Sequence, residues 1–339
     1  MMAVVIHHQP ERAFPLTDLT CSFRHEHVKP DFTEYTDEMS QALLDKVDKL
    51  AELGKDGGGL DNNLLLHMDN FHVGTDHLEL SFAEFADQEK VKLFTQGKKG
   101  RTHIDPLFTY FNVLSSIIFM TTSDGYSVWG FRGGGKDAHL SGRYLPLAGF
   151  CTITHNPKEK ADFIARKSSI LEASLGDIAY IDRHARGELY EEGGLEHLSA
   201  EDSLGGGDFL GFTGHTIDSP LSCIVLHYNV DATREEVDHA WGVEKNDENT
   251  HLIYLRNSEM MSFAAQQHSG VVNPFRDVRV DGPKLSVDGK EREWYHIENG
   301  LAAVILYVST HMGLEQGNQA AQAIRDSGHV VANVHKYTT

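Results

Sequence analysis

The stretch 185–195 constrains the fold more than any other part of the chain, because three of its carboxylates fall within five positions. In a helix, Glu188, Glu191 and Glu192 stand at i, i+3 and i+4 and share one face. Like charges at this spacing destabilise an isolated helix by about 0.2–0.5 kcal/mol per pair, so the arrangement favours a bound hard cation. Gly193-Gly194 then supplies a left-handed residue that ends the helix.

Length and composition indicate a soluble globular protein. A chain of 339 residues can bury a substantial core and predicts two domains, or one large domain with an elaborated end. The formal net charge of −20 argues against a nucleic-acid or anionic-membrane partner, because both require a basic face. The three cysteines lack paired spacing, and neither a signal peptide nor a membrane-spanning apolar run is present. We therefore expect a cytoplasmic protein with no nucleic-acid or membrane partner.

The first part of the chain, residues 1–105, predicts a small α+β domain. Thr36 and Asp37 can cap an amphipathic helix. The segments 63–73 and 77–82 are dense in leucine and aromatic residues and predict a hairpin.

The second part, residues 106–258, predicts alternating strands and helices. Asp124-Gly125 joins two β-rich runs, 111–122 and 126–131, and is the strongest hairpin signal in the chain. The next strand is predicted over 143–150. Further elements are a helix over 157–175, strands over 208–213 and 221–229, a helix over 233–240 capped near Asp231, and a strand over 251–255.

The third part, residues 259–339, predicts a mainly helical C-terminal extension. Helices are expected over 300–312 and 316–326, after a turn-rich hairpin at 282–290.

The order of these elements resembles the Nudix hydrolases over about residues 108–256. The signature of that family is Gly-x5-Glu-x7-Arg-Glu-U-x-Glu-Glu-x-Gly-U, where U is a large aliphatic residue. The segment 188–195, Glu-Leu-Tyr-Glu-Glu-Gly-Gly-Leu, matches every specified position after the arginine. Gly187 stands at the arginine position. Gly149 is the leading glycine if an insertion carrying the 157–175 helix has stretched the motif.

The early glutamate of the signature has no clear equivalent in this sequence. The candidates are Glu172, Asp177 and Asp182. The resemblance nevertheless implies an α/β fold, specifically the Nudix α/β/α sandwich with a mixed sheet.

The resemblance also implies an activity, which is Mg²⁺- or Mn²⁺-dependent hydrolysis of a diphosphate linkage. The substrate would be a nucleoside diphosphate derivative, with a nucleotide sugar as the preferred class, and homodimers are common in the family. By resemblance Glu188, Glu191 and Glu192 would bind the metal. Glu188 and Glu192 would be catalytic, and Glu188 or a later acidic residue would act as general base.

Three basic residues flank the expected substrate cleft. Arg132 and Arg143 stand at strand ends, where a guanidinium suits phosphate, and Lys136 lies in a glycine-rich loop between them. We expect these three residues to bind substrate.

Two other functions stay open. Gly187 and the unmatched first half of the signature favour a non-catalytic Nudix-fold nucleotide-binding or regulatory module. A non-hydrolytic Nudix-fold enzyme such as a prenyl diphosphate isomerase would use Cys151 and Glu192, although a buried structural cysteine is the simpler interpretation.

Histidine and aromatic residues supply further candidates. The pairs His7-His8 and His25-Glu26-His27 could ligate a metal, but 21 histidines make such pairs frequent by chance. Phe108, Tyr110 and Phe111 could stack on a nucleobase, with core packing as the alternative.

Overall fold

The computed structural model describes residues 3–33, 37–54, 58–96, 111–133, 142–167, 169–198, 204–214, 222–242 and 249–333. These residues form a mixed α/β protein. In chain order the strands are β1 (Ala3–His8), β2 (Phe14–Pro15), β3 (Thr20–His27), β4 (Leu64–His72), β5 (His77–Glu84), β6 (Leu114–Thr121), β7 (Tyr126–Arg132), β8 (Arg143–Phe150), β9 (Asp208–Gly214), β10 (Ser222–Asn229), β11 (Asn249–Arg256), β12 (Ser269–Asn273), β13 (Val278–Asp281), β14 (Lys284–Val287), β15 (Lys290–Glu293), β16 (Tyr295–His296) and β17 (Val330–Asn333). The helices are α1 (Glu38–Leu53), α2 (Phe85–Gln96), α3 (Pro157–Ile164), α4 (Ser169–Leu175), α5 (Ile178–Gly193), α6 (Arg234–Trp241), α7 (Asn257–Ala264), α8 (Glu298–Met312) and α9 (Leu314–Asp326).

The largest sheet is mixed and contains ten strands. Its order is β11-β7-β8-β6-β10-β9-β1-β17, with β2 paired to β9 and β16 paired to β8. β6 runs parallel to β10, and β1 runs parallel to β17, whereas β8 is antiparallel to both β6 and β7. Strands from both ends of the chain therefore lie in the same sheet as the central segment.

Helices cover both faces of this sheet, so its central strands are buried on both sides. On β6, Ile118 and Met120 belong to a hydrophobic core that also contains Leu189 of α5. Ile117 and Phe119 of the same strand belong to a second core, which contains the apolar residues of α8. A strand buried on both faces has a continuous apolar sequence, which explains the apolar run of β6.

Two smaller sheets lie outside the large one. β3, β5 and β4 form a three-stranded sheet, and β12 to β15 form a four-stranded antiparallel sheet. The predicted hairpin of the N-terminal region is confirmed as β4 and β5. The predicted cap of α1 is confirmed too, since the Asp37 carboxylate accepts a hydrogen bond from the Ser40 backbone N–H.

α5 is the helix expected from the three glutamates, and its two ends follow from its sequence. The Asp177 carboxylate accepts a hydrogen bond from the Ala179 backbone N–H and caps the first turn. Gly194 ends the helix with a φ of 72°. A Cβ on Gly194 would lie 2.4 Å from the Cα of Trp241 in α6, so this position excludes a side chain. The predicted glycine end of the helix is therefore confirmed.

The predicted Asp-Gly hairpin is confirmed as β6 and β7. The Gly125 backbone N–H donates to the Thr122 carbonyl across the turn at 2.9 Å. Gly125 has a φ of 82°, a conformation that glycine adopts without a Cβ penalty.

Three predicted elements differ from the structure. The helical pattern over 157–175 forms two helices, α3 and α4, because Arg166 adopts a φ of 53° that no α-helix contains. α6 is capped by Thr233 through a capping box, not near Asp231. The C-terminal extension, 259–339, is not mainly helical throughout, since it also contains the sheet β12–β15.

The domain boundaries at 105 and 258 stay predictions. β1 and β17, from the two predicted outer segments, pair in the same sheet as the strands of the middle segment. Among the helices that the structure describes, none combines the length and apolar character needed to cross a bilayer.

Candidate functional site

A buried ion pair joins the end of β7 to the last turn of α5. Nη2 of Arg132 lies 2.9 Å from Oε1 of Glu192, and the side chains are only 7% and 5% exposed. The other carboxylate oxygen of Glu192 accepts a hydrogen bond from the Ala148 backbone N–H at 3.1 Å. Charges buried this deeply are tolerated when paired, so removal of one partner leaves an uncompensated charge. A predicted phosphate-binding residue therefore contacts a predicted metal ligand.

The carboxylate of Glu188 lies against the backbone of β8 at Gly149. A Cβ on Gly149 would lie 2.1 Å from the carboxyl carbon of Glu188, so only glycine leaves room for the carboxylate. The preceding residue, Ala148, donates to Glu192. The carboxylates of Glu188 and Glu192, one turn apart on α5, thus approach two consecutive residues of β8.

His184 joins this group from one turn before Glu188. Its Nε2 lies 3.5 Å from Oε1 of Glu188. Burial lowers the pKa of His184 to about 4, a hydrogen bond with the Phe150 backbone opposes this shift, and nearby His155 adds to it. The imidazole is therefore neutral at pH 7, and its contact with Glu188 is not an ion pair.

The third glutamate has a different environment. Glu191 is exposed, whereas Glu188 is half-buried and Glu192 is buried. In the part of the chain that the structure describes, the three glutamates do not bring three ligand oxygens within 4.8 Å of one another. The spacing along α5 is as expected, but the three carboxylates do not converge on a single point.

The candidates for the early glutamate of the signature have other partners. These partners are His25 for Glu172, the Ala179 backbone N–H for Asp177, and Arg186 together with Tyr228 for Asp182. None of the three residues is assigned to the site on this geometry.

The other two predicted substrate residues have different positions in the chain. Arg143 begins β8, five residues before Ala148, which corresponds to about 16 Å along a strand. Lys136 lies outside the described residues. Of the predicted basic residues, the structure brings Arg132 to the carboxylates.

Cys151 is fully buried next to this region. Burial, reinforced by the negative charge of Glu188, raises the pKa of the Cys151 thiol far above its usual value. A protonated, inaccessible thiol is a poor nucleophile, so the residue has the character of a structural cysteine.

Among the described residues, neither histidine pair belongs to a group of three ligand atoms that could hold a metal ion. His25 Nδ1 lies 2.7 Å from Glu172, and His27 Nε2 lies 3.5 Å from Asp87, so the two imidazoles have separate partners. His7-His8 ends β1, where a register shift between Ile6 and His8 interrupts the pairing with β9.

The aromatic candidates fall partly outside the described chain. Phe111 is buried at 1% exposure and packs on His67, as expected for a core residue. Phe108 and Tyr110 lie outside the described residues.

Sequence reasoning missed His184. Its one signal is the i, i+4 relation to Glu188, which becomes informative only when the register and the buried face of α5 are known. No model of a known protein family matches the chain, and no curated protein sequence matches it. The function is therefore inferred from the geometry around α5 and β8.

Proposed function

We propose that the chain is a Nudix-like, Mg²⁺- or Mn²⁺-dependent pyrophosphohydrolase. Its substrate would be a nucleoside diphosphate derivative, with a nucleotide sugar as the preferred class. The observation that carries the proposal is the contact between Glu188 and Gly149. Gly149 is the leading glycine of a stretched signature, and Glu188 is the first glutamate of its matched half. The family's α/β/α sandwich would correspond to the large sheet with α5 on one face and α8 on the other.

The residues around Glu188 fit a divalent cation. Nε2 of His184 is buried without a hydrogen-bond partner among the described residues, and it faces Oε1 of Glu188. Because the hydrogen bond with the Phe150 backbone uses the other ring nitrogen, Nε2 presents a lone pair to a carboxylate oxygen. A cation bound by the carboxylate of Glu188 would relieve their repulsion without taking the imidazole as a ligand. Mg²⁺ commonly uses one or two carboxylates together with waters and substrate phosphates, so Glu188 and Glu191 would suffice as protein ligands.

The roles of the remaining residues follow from their partners. A bound cation would screen the diphosphate charge and acidify a water molecule. Glu188 is the candidate general base, and half-burial keeps its carboxylate within reach of solvent. Glu192 is held by Arg132 and Ala148, so it positions the end of α5 against β8 and supports Glu188.

A second candidate function is supported by the same ion pair. Both oxygens of Glu192 already have partners, and Gly187 stands where the signature has arginine. Both features are expected of a module that binds a nucleotide without hydrolysing it. The isomerase alternative has less support, because burial keeps the thiol of Cys151 protonated.

The test is metal-dependent turnover in a variant that leaves the buried ion pair intact. The full chain is incubated with Mg²⁺ or Mn²⁺ and a panel of nucleotide sugars, ADP-ribose, dinucleoside polyphosphates and prenyl diphosphates, and products are separated chromatographically. We expect release of a nucleoside monophosphate that falls about 100-fold or more in Glu188→Gln. Glu235→Gln, which changes an exposed glutamate of α6, is the matched control and should retain full activity.

Glu188→Gln is the cleaner choice because Glu192→Gln would leave the charge of Arg132 buried and unpaired. Equal turnover in Glu188→Gln and the wild type would contradict the proposal. Nucleotide binding without turnover would favour the module, and prenyl diphosphate isomerisation that disappears in Cys151→Ala would favour the isomerase.

A further inference from the structure

A second polar cluster lies on the face of the large sheet opposite α5. It consists of Asp208, His227 and His311, and one ligand atom from each lies within 4.8 Å of the other two. Nδ1 of His227 is 3.2 Å from Nε2 of His311 and 3.6 Å from a carboxylate oxygen of Asp208. Atoms bound at about 2.0–2.1 Å to a tetrahedral metal lie about 3.3 Å apart, so both distances fit a shared ion.

Three rigid elements hold these side chains. Asp208 begins β9 and stands directly opposite His227 of β10, so the two side chains share a face of the sheet. His311 lies in the last turn of α8. His227 is buried and His311 is exposed, which leaves one side of the cluster open to solvent.

Hydrogen bonds around the two imidazoles fix the positions of their protons. Nδ1 of His311 lies 3.2 Å from the Tyr307 carbonyl oxygen, so it carries the proton and Nε2 presents a lone pair. On the other ring, Nε2 of His227 lies 3.0 Å from Oγ1 of Thr121. The Tyr307 hydroxyl donates to Oδ1 of Asn257 and therefore accepts from Thr121. Thr121 must then accept from His227, which leaves Nδ1 of His227 with a lone pair.

Three acceptors consequently face one another with no proton among them. They are Nδ1 of His227, Nε2 of His311 and the Asp208 carboxylate. Each ring carries one proton, on Nε2 of His227 and on Nδ1 of His311, so both imidazoles are neutral. Neutral imidazole is the form that binds metals, and Thr121 and the Tyr307 carbonyl provide the outer hydrogen bonds that orient metal-binding histidines.

We propose that Asp208, His227 and His311 bind a divalent transition-metal ion, with Zn²⁺ as the ion that fits best. Two imidazoles and one carboxylate suit Zn²⁺, whereas Mg²⁺ prefers oxygen ligands. Three protein ligands leave a coordination position open for water or a small anion, on the side where His311 meets solvent. The site shares no residue with the glutamate site, so this proposal does not depend on the proposed hydrolase activity.

The test is Zn²⁺ affinity in variants that remove one ligand each. The full chain is freed of metal with a chelator and titrated with Zn²⁺ in competition with a chromophoric chelator. We expect Asp208→Asn and His311→Ala to weaken binding of one equivalent by at least about tenfold. His239→Ala removes an exposed imidazole of α6 and is the matched control, which should bind as the wild type does. Co²⁺ should give a visible absorption band that the two ligand variants lose.

Thr121→Val provides a milder variant, because it removes no ligand but only the hydroxyl that accepts from His227 and donates to Tyr307. It should weaken Zn²⁺ binding by about tenfold and leave the ligands intact. Absence of Zn²⁺ binding by the wild type, or equal binding in Asp208→Asn and His311→Ala, would overturn the proposal. Binding that Glu188→Gln loses and His311→Ala retains would assign the ion to the glutamates and overturn it as well.

Discussion

The two polar sites lie on opposite faces of the large sheet and are built in different ways. On the α5 face, three carboxylates come from five consecutive positions, and Arg132 neutralises Glu192. On the α8 face, Asp208, His227 and His311 come from three separate elements. Among the described residues, the carboxylate of Asp208 faces the neutral imidazole of His227 and makes no ion pair with a lysine or arginine.

This difference shows that a sequence motif can reveal candidate ligand residues without revealing how their charges are balanced in the fold. The glutamate stretch contains three candidate ligands within five positions, yet one of them, Glu192, already has a cationic partner. The Asp208–His227–His311 cluster has no visible motif, yet its hydrogen bonds leave three acceptors in contact. A cation on the α8 face would relieve all three acceptors at once, whereas on the α5 face it would relieve only the contact between His184 and Glu188.

The largest effect on stability is expected from breaking the buried ion pair between Arg132 and Glu192 on the α5 face. Arg132→Met should lower the free energy of unfolding by about 3–5 kcal/mol, because it leaves the carboxylate of Glu192 buried without its cation. The double variant Arg132→Met, Glu192→Leu should recover most of this loss. Urea unfolding measures both values. If the single and double variants were equally unstable, Arg132 would contribute through packing and not through the ion pair.

The pH dependence of stability should show whether His184, on the α5 face, is neutral in the folded chain. The pKa of His184 is about 4 when folded and about 6.5 when unfolded, so between these values the unfolded chain binds a proton that the folded chain does not. The stability that the neutral His184 contributes is complete above about pH 6.5. As the pH falls to about 4, protonation of the unfolded chain at this residue lowers the free energy of unfolding by about 3 kcal/mol in total. His184→Gln should therefore flatten the decline relative to the wild type.

The measurement is urea unfolding at several pH values from 7 down to the acid limit of the native state. Other buried histidines, including His227, remain in both proteins, so the informative quantity is the difference in slope. Parallel curves for the wild type and His184→Gln would show that the imidazole is not neutral in the folded chain.

Zn²⁺ should stabilise the protein through the α8 face. An ion at one hundred times its dissociation constant raises the free energy of unfolding by about 2.7 kcal/mol if it binds only the folded state. His311→Ala should abolish this stabilisation, whereas Glu188→Gln should retain it. Thermal unfolding with and without Zn²⁺ provides the measurement, and an increase retained by His311→Ala would contradict this assignment.

Local elements were predictable from the sequence because their signals lie within a few residues. Asp37 as the cap of α1, the turn at Asp124-Gly125 and the glycine end of α5 at Gly194 each depend on short-range geometry. The split of the 157–175 pattern was not predictable from periodicity, since it depends on the backbone conformation of one residue, Arg166.

Long-range pairings could not be predicted in this way. β1 pairs with β17 across almost the whole chain, and nothing in either apolar run specifies its partner. The contact between Arg132 and Glu192 depends on the position of α5 over β7 and β8, and the Asp208–His227–His311 cluster requires three elements to meet. On the α5 face the sequence displayed the three carboxylates, but it did not disclose that Arg132 balances the charge of one of them.

The smallest expected effect concerns Gly187, the position at which the signature has arginine. A Cβ there would meet nothing within 4 Å, and the residue lies inside α5. Glycine in a helix interior costs about 0.5–1 kcal/mol relative to alanine, so Gly187→Ala should raise the free energy of unfolding by that amount. Gly193→Ala on the same helix is the contrasting variant, because its Cβ would press on Leu147 at 3.2 Å and cancel the gain. Gly187→Arg tests the signature position directly. If it stabilised the helix equally and also increased diphosphate hydrolysis, the missing arginine would limit catalysis on the α5 face. If it stabilised the helix equally and left hydrolysis unchanged, Arg132 would already supply the positive charge that the α5 face needs.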